Sequence, residues 1–525
     1  MVQASMVPML LVCCGLAAQV TQPGPAPQAA PAAQAGQPTL AGPAKRLSLR
    51  EALQTSLQYN LQVDIAQQAR EETVAGIQIN QGPFDWNLTA SAQAQRLENA
   101  NNTSAGLKNT PPITTTTTAY NRQLIGDLNK NFEWGGNLDL NYSPIYNYDT
   151  GSYSNNPTGY NGPFTTSYPY AGNVTATYTQ SLLQGFGREV TTAPLVIARK
   201  NADGADYTYQ LAIINLMAAT ETQYWNVVYA QKNLENYQTS LRLAQKQLDE
   251  NNIRLKVGTM APLDVTAAEA QVAQAEQNII SGQAALDNAK DALIRALYPN
   301  AERPAGLELT DAPTLSHIQL NEADAVQMAM ERRVELKNAK ITKDVSDLQM
   351  TVAQDKVRPT LNAFVAYNGG SDSYNSLSSV NSDLDRAKYP GYTVGVKFAM
   401  PIQNNAAKGN LAVARAAFRS SELNLRDLQL SITLAVRTAV RNIDATEKGV
   451  KAAEKTRFLQ EKTLEAEQKK FDNGMSTNFN VLQDMTNLDA ARAAETQAQI
   501  NYAQAVTALE QAVGNLMEAR NFTIK

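Results

Sequence analysis

The 525-residue sequence has little of the chemistry that catalytic and metal sites need. It contains one histidine, His317, and two cysteines, Cys13 and Cys14, which are adjacent and near the N-terminus. Zinc, haem and iron–sulfur centres need clustered His and Cys ligands, and Ser-His-Asp or Cys-His sites need a histidine beside the nucleophile. Chemistry by carboxylates alone remains open, but we expect no enzyme, no catalytic residue, no metal and no cofactor. We interpret His317 as a linker residue.

The charge of the chain gives no indication of a polyanionic partner such as nucleic acid. The net charge is −4, with 18% charged residues, and a nucleic-acid binder would show a basic stripe. Beyond the N-terminus no segment reaches 18 consecutive apolar residues, the length that indicates a membrane-spanning helix. We therefore expect no nucleic-acid partner, and any membrane insertion without a spanning helix.

The N-terminus reads as a targeting segment followed by a linker. Residues 9–18 are a short apolar run, which predicts a signal peptide over 1–20. No Lys or Arg precedes the run, which a misassigned start codon would explain. A lipid anchor on Cys13 or Cys14 also stays open. Residues 21–44 consist mainly of Pro, Ala, Gln and Gly and predict a disordered linker.

The remaining chain repeats one plan, in residues 45–315 and again in 316–525. Each repeat opens with a predicted helix of about 30 residues that ends at a proline, Pro83 or Pro359. Period-2 patterns follow, within about 84–186 in the first repeat and about 359–402 in the second. They predict strands at 88–94, 138–142, 174–180, 361–367 and 392–400, with an additional pair around 124–142. Polar stretches at 99–112 and 148–162 predict long loops.

Very long helices follow the strands. Residues 205–257 contain no Gly or Pro, and 410–473 contain only one Gly, which predicts helices of roughly 80 and 95 Å. The first has a heptad series that predicts a coiled coil, although Asn251 interrupts its intermediate positions. An amphipathic helix on an ordinary core is the alternative. The heptad positions are Val227, Leu234, Leu241, Leu248 and Leu255.

Both long helices end at a glycine turn and reverse into another helix. Alignment of Gly258 with Gly474 places Asp264 opposite Asn480. Glycine ends helices in the left-handed conformation, and the returning helices are predicted at about 263–297 and 478–515.

The strands carry a further implication. Two strands in each repeat give at least four amphipathic strands per chain. Four strands cannot close a barrel around a channel, and a membrane does not tolerate open sheet edges, so several chains must combine their strands. Residues 84–186 hold only ten charged residues, and nine tyrosines fall in 120–178, as expected near a membrane interface. A soluble β-sandwich is the alternative.

These openings, strand insertions, Gly-Phe-Gly junction and paired glycine turns resemble the TolC-type outer-membrane efflux protein family over about residues 45–520. The resemblance implies a mainly α fold with a β insertion in each of two repeats. It also implies a long coiled-coil α-barrel and a transmembrane, twelve-stranded β-barrel completed by trimerisation. The chain would then be a passive exit duct in the bacterial outer membrane, with its helical part in the periplasm. Implied partners are two further copies, membrane lipid, a periplasmic adaptor and an inner-membrane pump of RND, ABC or MFS type. A structural or adhesive coiled-coil protein without transport activity is the alternative.

The resemblance also indicates site residues. An acidic ring expected after the second turn falls here on Asn480 and Gln483, with Asp484 one residue further and Asp264 at the matching place in the first repeat. Three Asp264 carboxylates would gate a narrow lumen by attracting cations, whereas a single one would only complement a helix N-terminus. Candidate adaptor-docking residues are Val257, Gly258, Thr259, Met260, Asn473, Gly474, Met475 and Ser476. Candidate helix–barrel junction residues are Pro83, Gly185, Gly187, Pro359 and Pro401.

Overall fold

The computed structural model describes residues 45–103, 113–154, 161–165, 168–299, 307–315, 318 and 321–522. The predicted signal peptide, the linker and His317 lie outside these residues. The helices are α1 (Leu49–Tyr59), α2 (Leu61–Gln81), α3 (Arg188–Thr191), α4 (Ala193–Lys256), α5 (Pro262–Leu297), α6 (Glu322–Arg332), α7 (Val334–Asp355), α8 (Leu377–Asp385), α9 (Asn405–Asp472), α10 (Asn478–Val513) and α11 (Leu516–Ala519).

The strands form two sheets. They are β1 (Lys45–Leu47), β2 (Trp86–Thr103), β3 (Ile113–Asn131), β4 (Gly136–Ser154), β5 (Gly162–Thr165), β6 (Tyr170–Ser181), β7 (Leu307–Leu309), β8 (Thr360–Gly370) and β9 (Tyr389–Ala399). β1 and β7 pair in parallel, and the large sheet has the antiparallel order β2-β3-β4-β6-β8-β9, with β5 beside β4.

The opening helix of each repeat is broken once. The predicted single helices of about 30 residues are wrong, because α1 stops at Asn60 and α6 stops at Arg333, both in extended conformation. The side chain of Asn60 then accepts a hydrogen bond from Gln62 N and caps α2. The two repeats break at corresponding points, so the interruption is part of the repeated plan.

Both long helices begin earlier in the chain than the sequence predicts. α4 has 64 residues and α9 has 68, which corresponds to about 96 and 102 Å. The predicted first long helix began only after Gly204. In the structure Gly204 lies inside α4 and is buried, and a Cβ at this position would lie 2.9 Å from Asn338 Oδ1. Close packing of α4 on α7 therefore explains the glycine. The returning helices α5 and α10 agree with the prediction within two residues.

Each repeat has an apolar cluster of its own, and Ile500 of the second repeat joins the cluster of the first. One apolar cluster joins the start of the chain to α4 and α5 through Leu47, Tyr224 and Leu293, all completely buried. A second joins α6, α9 and α10 around Val436 and Tyr502. The Tyr224 hydroxyl donates to Leu47 O at 3.1 Å, which satisfies a polar group inside the first cluster.

The large sheet corrects two predictions. The expected loops at 99–112 and 148–162 are strand as far as Thr103 and Ser154. The sequence leaves open where the additional pair near 124–142 lies, and the structure places β3 and β4 between β2 and β6 in the same sheet. The path across this sheet therefore has six strands, which agrees with at least four amphipathic strands per chain and is two more than each chain of a trimeric twelve-stranded barrel would contribute.

A short helix covers one end of the sheet. Val380 of α8 is fully buried, and a Cβ on Gly172 would lie 2.6 Å from its Cγ1. The Tyr142 hydroxyl donates to Asn381 Oδ1 at 2.7 Å. Within the described ranges, no helix combines the length and apolar character needed to cross a membrane.

Candidate functional site: the paired helical turns

The two helical hairpins end in turns of the same geometry. We name residues 257–261 the first turn and residues 473–477 the second turn. Gly258 and Gly474 have φ of 80° and 74°, the left-handed region that glycine occupies without steric cost. Thr259 N donates to Arg254 O at 2.9 Å, and Met475 N donates to Lys470 O at 2.9 Å. These six-residue closures match a Schellman motif in both turns, which confirms the predicted glycine turns.

The returning helices start differently. Pro262 is the first residue of α5, where its missing N–H costs nothing. In the second turn the Thr477 hydroxyl accepts a hydrogen bond from Asn480 N at 3.4 Å and caps α10. The first returning helix therefore begins at a proline and the second at a polar cap.

Six of the eight candidate docking residues are exposed, and two are not. The exposed ones are Val257, Gly258, Thr259, Asn473, Gly474 and Met475. Met260 instead packs against the cluster formed by Phe471, Val481 and Met485. The Ser476 hydroxyl donates to the carboxylate of Glu467, so these two residues hold the turns in place.

The gate candidates lie on two different helices. Asp264 is half-buried in the first turn of α5, and its backbone oxygen accepts a hydrogen bond from Asn478 Nδ2 at 3.0 Å. On α10, Asn480 Nδ2 donates to Ser476 Oγ at 3.2 Å. Gln483 is exposed and donates to Asn487 Oδ1, and Asn487 Nδ2 approaches Asp484 Oδ1 at 3.5 Å. Among the described residues, no hydrogen bond or ion pair joins Asp264 to Asn480, Gln483 or Asp484.

A buried group of amides links the two hairpins, and the sequence analysis missed it. Asn478 Oδ1 accepts from Asn251 Nδ2 at 2.9 Å and from Gln247 Nε2 at 3.1 Å. All three residues are at most 3% exposed. Buried amides are stable only when paired, so this arrangement fixes α10 against α4. The signal was present, because Asn251 interrupts the heptad series where an apolar residue is expected.

A second link between the hairpins is cationic. Arg254 Nη2 donates to Asp472 Oδ1 at 2.8 Å, and Arg254 Nη1 donates to Phe471 O at 3.1 Å. The Arg254 guanidinium carbon lies 4.1 Å from the centre of the Phe471 ring, within range of a cation–π interaction. Arg254 therefore binds the last turn of α9 through three kinds of contact.

Acidic residues of α9 support the second turn. The Ser476 hydroxyl and the Lys470 ammonium hold the pKa of Glu467 below its usual range. Two residues earlier, Lys462 and Lys469 lower the pKa of Glu465 to about 2. Both carboxylates are consequently ionised at neutral pH. Negative and positive side chains therefore alternate along this end of α9.

At the other end of the helices, the predicted junction residues meet. Gly185 and Gly187 have positive φ, and Gly185 N donates to the buried carboxylate of Asp355 at 2.7 Å. Gln184 N donates to Pro359 O at 3.3 Å. The junctions of the two repeats are therefore joined directly, and Asp355 is a contributor that the sequence did not reveal.

The other two junctions are held by asparagines. Asn131 Nδ2 donates to Pro83 O at 3.0 Å, beside the 3₁₀ turn Gly82–Phe84. Asn404, three residues after Pro401, donates to Val357 O at 2.9 Å and has a φ of 49°. Polar side chains thus satisfy backbone groups wherever the chain changes from helix to strand.

Comparison with known proteins agrees with this architecture. The family described as "Outer membrane efflux protein" matches residues 137–297 and 325–515, more than half of the chain. The chain belongs to this family of outer-membrane proteins, which confirms the TolC-type resemblance. It is 28% identical to outer membrane protein TolC of Escherichia coli K12 over 62% of its own length and 66% of that protein. With TolC of Vibrio cholerae it shares 26% identity over 61% of its length and 72% of that protein.

The chain thus spans about two thirds of the length of the E. coli relative. Solved structures show the same fold at lower identity. CusC superposes with a TM-score of 0.65 at 15% identity, covering 89% of this chain and 92% of CusC. VceC of Vibrio cholerae gives 0.61 at 15% identity, covering 89% of this chain and 96% of VceC. MtrE of Neisseria gonorrhoeae gives 0.61 at 16% identity, covering 89% of each chain.

Proposed function

We propose that the chain forms a passive exit duct, the outer-membrane channel of a tripartite efflux or type I secretion system. The duct is a homotrimer whose helices line a tunnel in the periplasm. A periplasmic adaptor opens it, and an inner-membrane pump of RND, ABC or MFS type feeds it. The observation that carries the proposal is the joining of two long helical hairpins, ending in matched turns, to one amphipathic sheet.

Trimer formation is supported by surfaces that one chain leaves incomplete. Leu241, Leu248 and Leu255 of the heptad series are only half-buried, although coiled-coil seams bury such positions. The outer edges of β2 and β9 have no partner strand in the described part of the chain. Contacts with further copies would cover both features.

Adaptor docking is proposed at the tips of the hairpins. Two apolar side chains at corresponding positions of the returning helices, Leu263 and Phe479, are 79% and 70% exposed. Together with Val257 and Met475 they form an unusual apolar surface at the end of a helical rod. The sequence analysis did not select Leu263 or Phe479, although an apolar residue directly after a helix start is a usable signal.

The gate is proposed just above these tips. Asp264 leads the candidates because its carboxylate makes no hydrogen bond or ion pair within the described residues, whereas Asn487 Nδ2 approaches Asp484 Oδ1 at 3.5 Å. The Asp264 carboxylate is therefore free to bind a cation in the lumen. Asn480, Gln483 and Asp484 would line the same level from α10. The repeat boundaries at 315/316 and an exported, processed N-terminus belong to the same proposal, as does a lipid anchor if processing leaves Cys13 or Cys14 first.

The proposal includes no catalytic step. The family is one of efflux channels, and within the described residues no group of three or more His, Cys, Asp or Glu side chains could hold a metal ion. The duct would therefore act through its shape, its charge and the opening of its helical end.

The test is export in a bacterium that lacks its own outer-membrane efflux channel. The chain, expressed with a periplasmic adaptor and an inner-membrane pump, is expected to restore low accumulation of a fluorescent dye. Purified trimers are expected to conduct ions across a planar bilayer. A structural or adhesive protein would give neither dye export nor conductance, and that result would refute the duct.

A further inference from the structure

The large sheet has an apolar face that extends across all six strands. Residues paired between antiparallel strands point to the same face, so each ladder identifies a row of neighbours. One row consists of Leu88, Leu128, Leu140, Ala176, Tyr367 and Tyr392. The next consists of Ala90, Gly126, Tyr142, Val174, Gly369 and Pro390. Neither row contains a charged residue.

The opposite face is polar over the same six strands. One of its rows consists of Asn87, Asn129, Asp139, Thr177, Ala366 and Thr393. The amides and carboxylate of the first three strands also bond to one another, as in the contact from Asn129 Nδ2 to Asp139 Oδ2 at 3.4 Å. Alternation of apolar and polar residues is the signature of strands between lipid and a watery lumen.

The apolar band has a similar height in every strand. It lies within the nine-residue segments 86–94, 122–130, 138–146, 172–180, 361–369 and 390–398, and in β3 the charged residues Arg122 and Lys130 stand at its two ends on the same face. Strands of about nine to eleven residues cross a bilayer when they are tilted. At the outer end, α8 covers Gly172 on this face and accepts the hydrogen bond from the Tyr142 hydroxyl through Asn381. The additional hairpin of β2 and β3 therefore has the same membrane signature as the other strands.

This sheet cannot close on itself. Its edges are β2 and β9, and the smallest membrane barrels have eight strands. β2 runs away from the helices and β9 runs back towards them, because each adjoins a helix at its inner end. An edge β9 of one copy can therefore pair with β2 of a second copy in the antiparallel sense that the rest of the sheet uses.

We propose that β9 of each copy pairs with β2 of the next, and that three copies close a barrel of eighteen strands. The proposal rests on the trimer of the proposed function, but it adds the edges that meet and the number of strands. With strands about 4.8 Å apart and a tilt of about 35°, eighteen strands give a diameter of about 34 Å, against about 23 Å for twelve.

The register at the new interface follows from the ladders. The row that starts at Trp86, the first residue of β2, reaches Val394, five residues before the end of β9. The stagger is thus one residue per strand, or about six per chain, which corresponds to the tilt of about 35°. Continued into the next copy, it places Val394 opposite Ala92, both on the apolar face.

The test is crosslinking in outer membranes with a short bismaleimide, using the double variant Ala92→Cys, Val394→Cys. The reagent is long enough to link cysteines on paired β9 and β2 strands even if the register differs from the proposed one by two residues. We expect covalent dimers and trimers on a denaturing gel. The two single variants, which still carry Cys13 and Cys14, are expected to stay monomeric and control for those thiols.

A matched rival pair is Tyr142→Cys, Val394→Cys, which the same stagger places opposite each other if β9 pairs with β4 of the next copy. If β2 and β3 lay outside the barrel, β4 would be the edge strand, and this pair would be linked in a twelve-stranded barrel. Linkage of the rival pair, a ladder that stops at dimer, or no linkage of the β2–β9 pair would each overturn the proposal. Because folding of a variant can fail, strands are also counted by electron cryomicroscopy of the unmodified protein in nanodiscs, where twelve would overturn it.

These readouts are separate from export. A linked trimer that fails to export dye would refute the exit duct and leave the barrel intact. Dye export by a trimer with twelve strands would refute the eighteen-stranded barrel and leave the exit duct intact.

Discussion

The guanidinium carbon of Arg254 lies 4.1 Å from the centre of the Phe471 ring, so a residue near the end of α4 is clamped to the end of α9. The same guanidinium binds Asp472 at 2.8 Å. Together with the buried amides of Gln247, Asn251 and Asn478, this contact holds the hairpin of the first repeat to the hairpin of the second near the tip. If the tip opens by separation of the hairpins, the contact must break.

Arg254→Ala is therefore expected to favour the open tip. Cation–π and partly exposed ion-pair contacts contribute about 1–2 kcal/mol together, so the open population should rise roughly tenfold. Single-channel recording in a planar bilayer measures this as more frequent opening. Arg242→Ala, on an exposed site of the same helix, is the control. Equal opening in both variants would show that the clamp does not restrain the tip.

Asp264→Asn removes a charge without changing shape. We expect a higher resting conductance or weaker block by divalent cations, because an amide does not attract cations into the lumen. Its backbone bond from Asn478 remains possible. Asp249→Asn, on an exposed site of α4, is the control. If conductance and block both match those of the wild type, Asp264 only complements the helix N-terminus, a contribution of about 0.3–1 kcal/mol.

Gly258→Trp tests the docking surface. No described atom lies within 4 Å of a Cβ at this position, so the bulk projects outward and the trimer should assemble while export is lost. The positive φ adds strain of about 1–2 kcal/mol for any side chain. Gly258→Ala carries that strain without the bulk and should export normally. Normal export by the tryptophan variant would remove the first turn from the docking surface.

Arg520→Ala should destabilise the region where the chain ends. Arg520 donates to the fully buried carboxylate of Glu221 at 2.6 and 3.0 Å. Loss of one partner from a buried pair costs about 3–5 kcal/mol. Denaturant unfolding measures the loss, and Arg46→Ala, from an exposed pair with Glu308, should cost less than about 1 kcal/mol. Similar values for the two variants would contradict a buried role for Glu221.

Tyr224 predicts a component of alkaline sensitivity. Burial raises its pKa to about 12, whereas an unfolded chain loses the phenolic proton near pH 10. Its contribution to stability is therefore complete below pH 10 and is lost as the pH rises to about 12, by about 2 kcal/mol. Tyr224→Phe should remove that decline from the free energy of unfolding. An unchanged decline would assign it to other groups.

The sequence predicted the long helices, the glycine turns and the strands of the second repeat, because each has strong periodicity or a specific terminator. It did not predict strand at 95–103 and 147–154, where Thr, Asn and Gly replace alternating apolar residues. Those segments are strand because ladder pairing with β3 continues past the apolar band. Pairing across a sheet is a property of two segments, so one segment's composition does not reveal it.

The same limit applies at the tip. In the sequence, Asn251 only interrupts the heptad series. Its hydrogen-bond partner Asn478 is 227 residues away in the chain. Asp355 likewise gave no local signal before Gly185 was found beside it. Positions that satisfy a distant polar group are visible only once the hairpins are packed.

The uneven strand lengths affect where a cargo is released. β2 runs nine residues past the apolar band, which at about 3.4 Å per residue and a tilt of about 35° raises the rim by about 25 Å. In the proposed trimer three such walls would stand above the outer leaflet. An apolar molecule leaving the duct would be discharged beyond the lipid headgroups, so the rim would hinder its immediate return to the membrane.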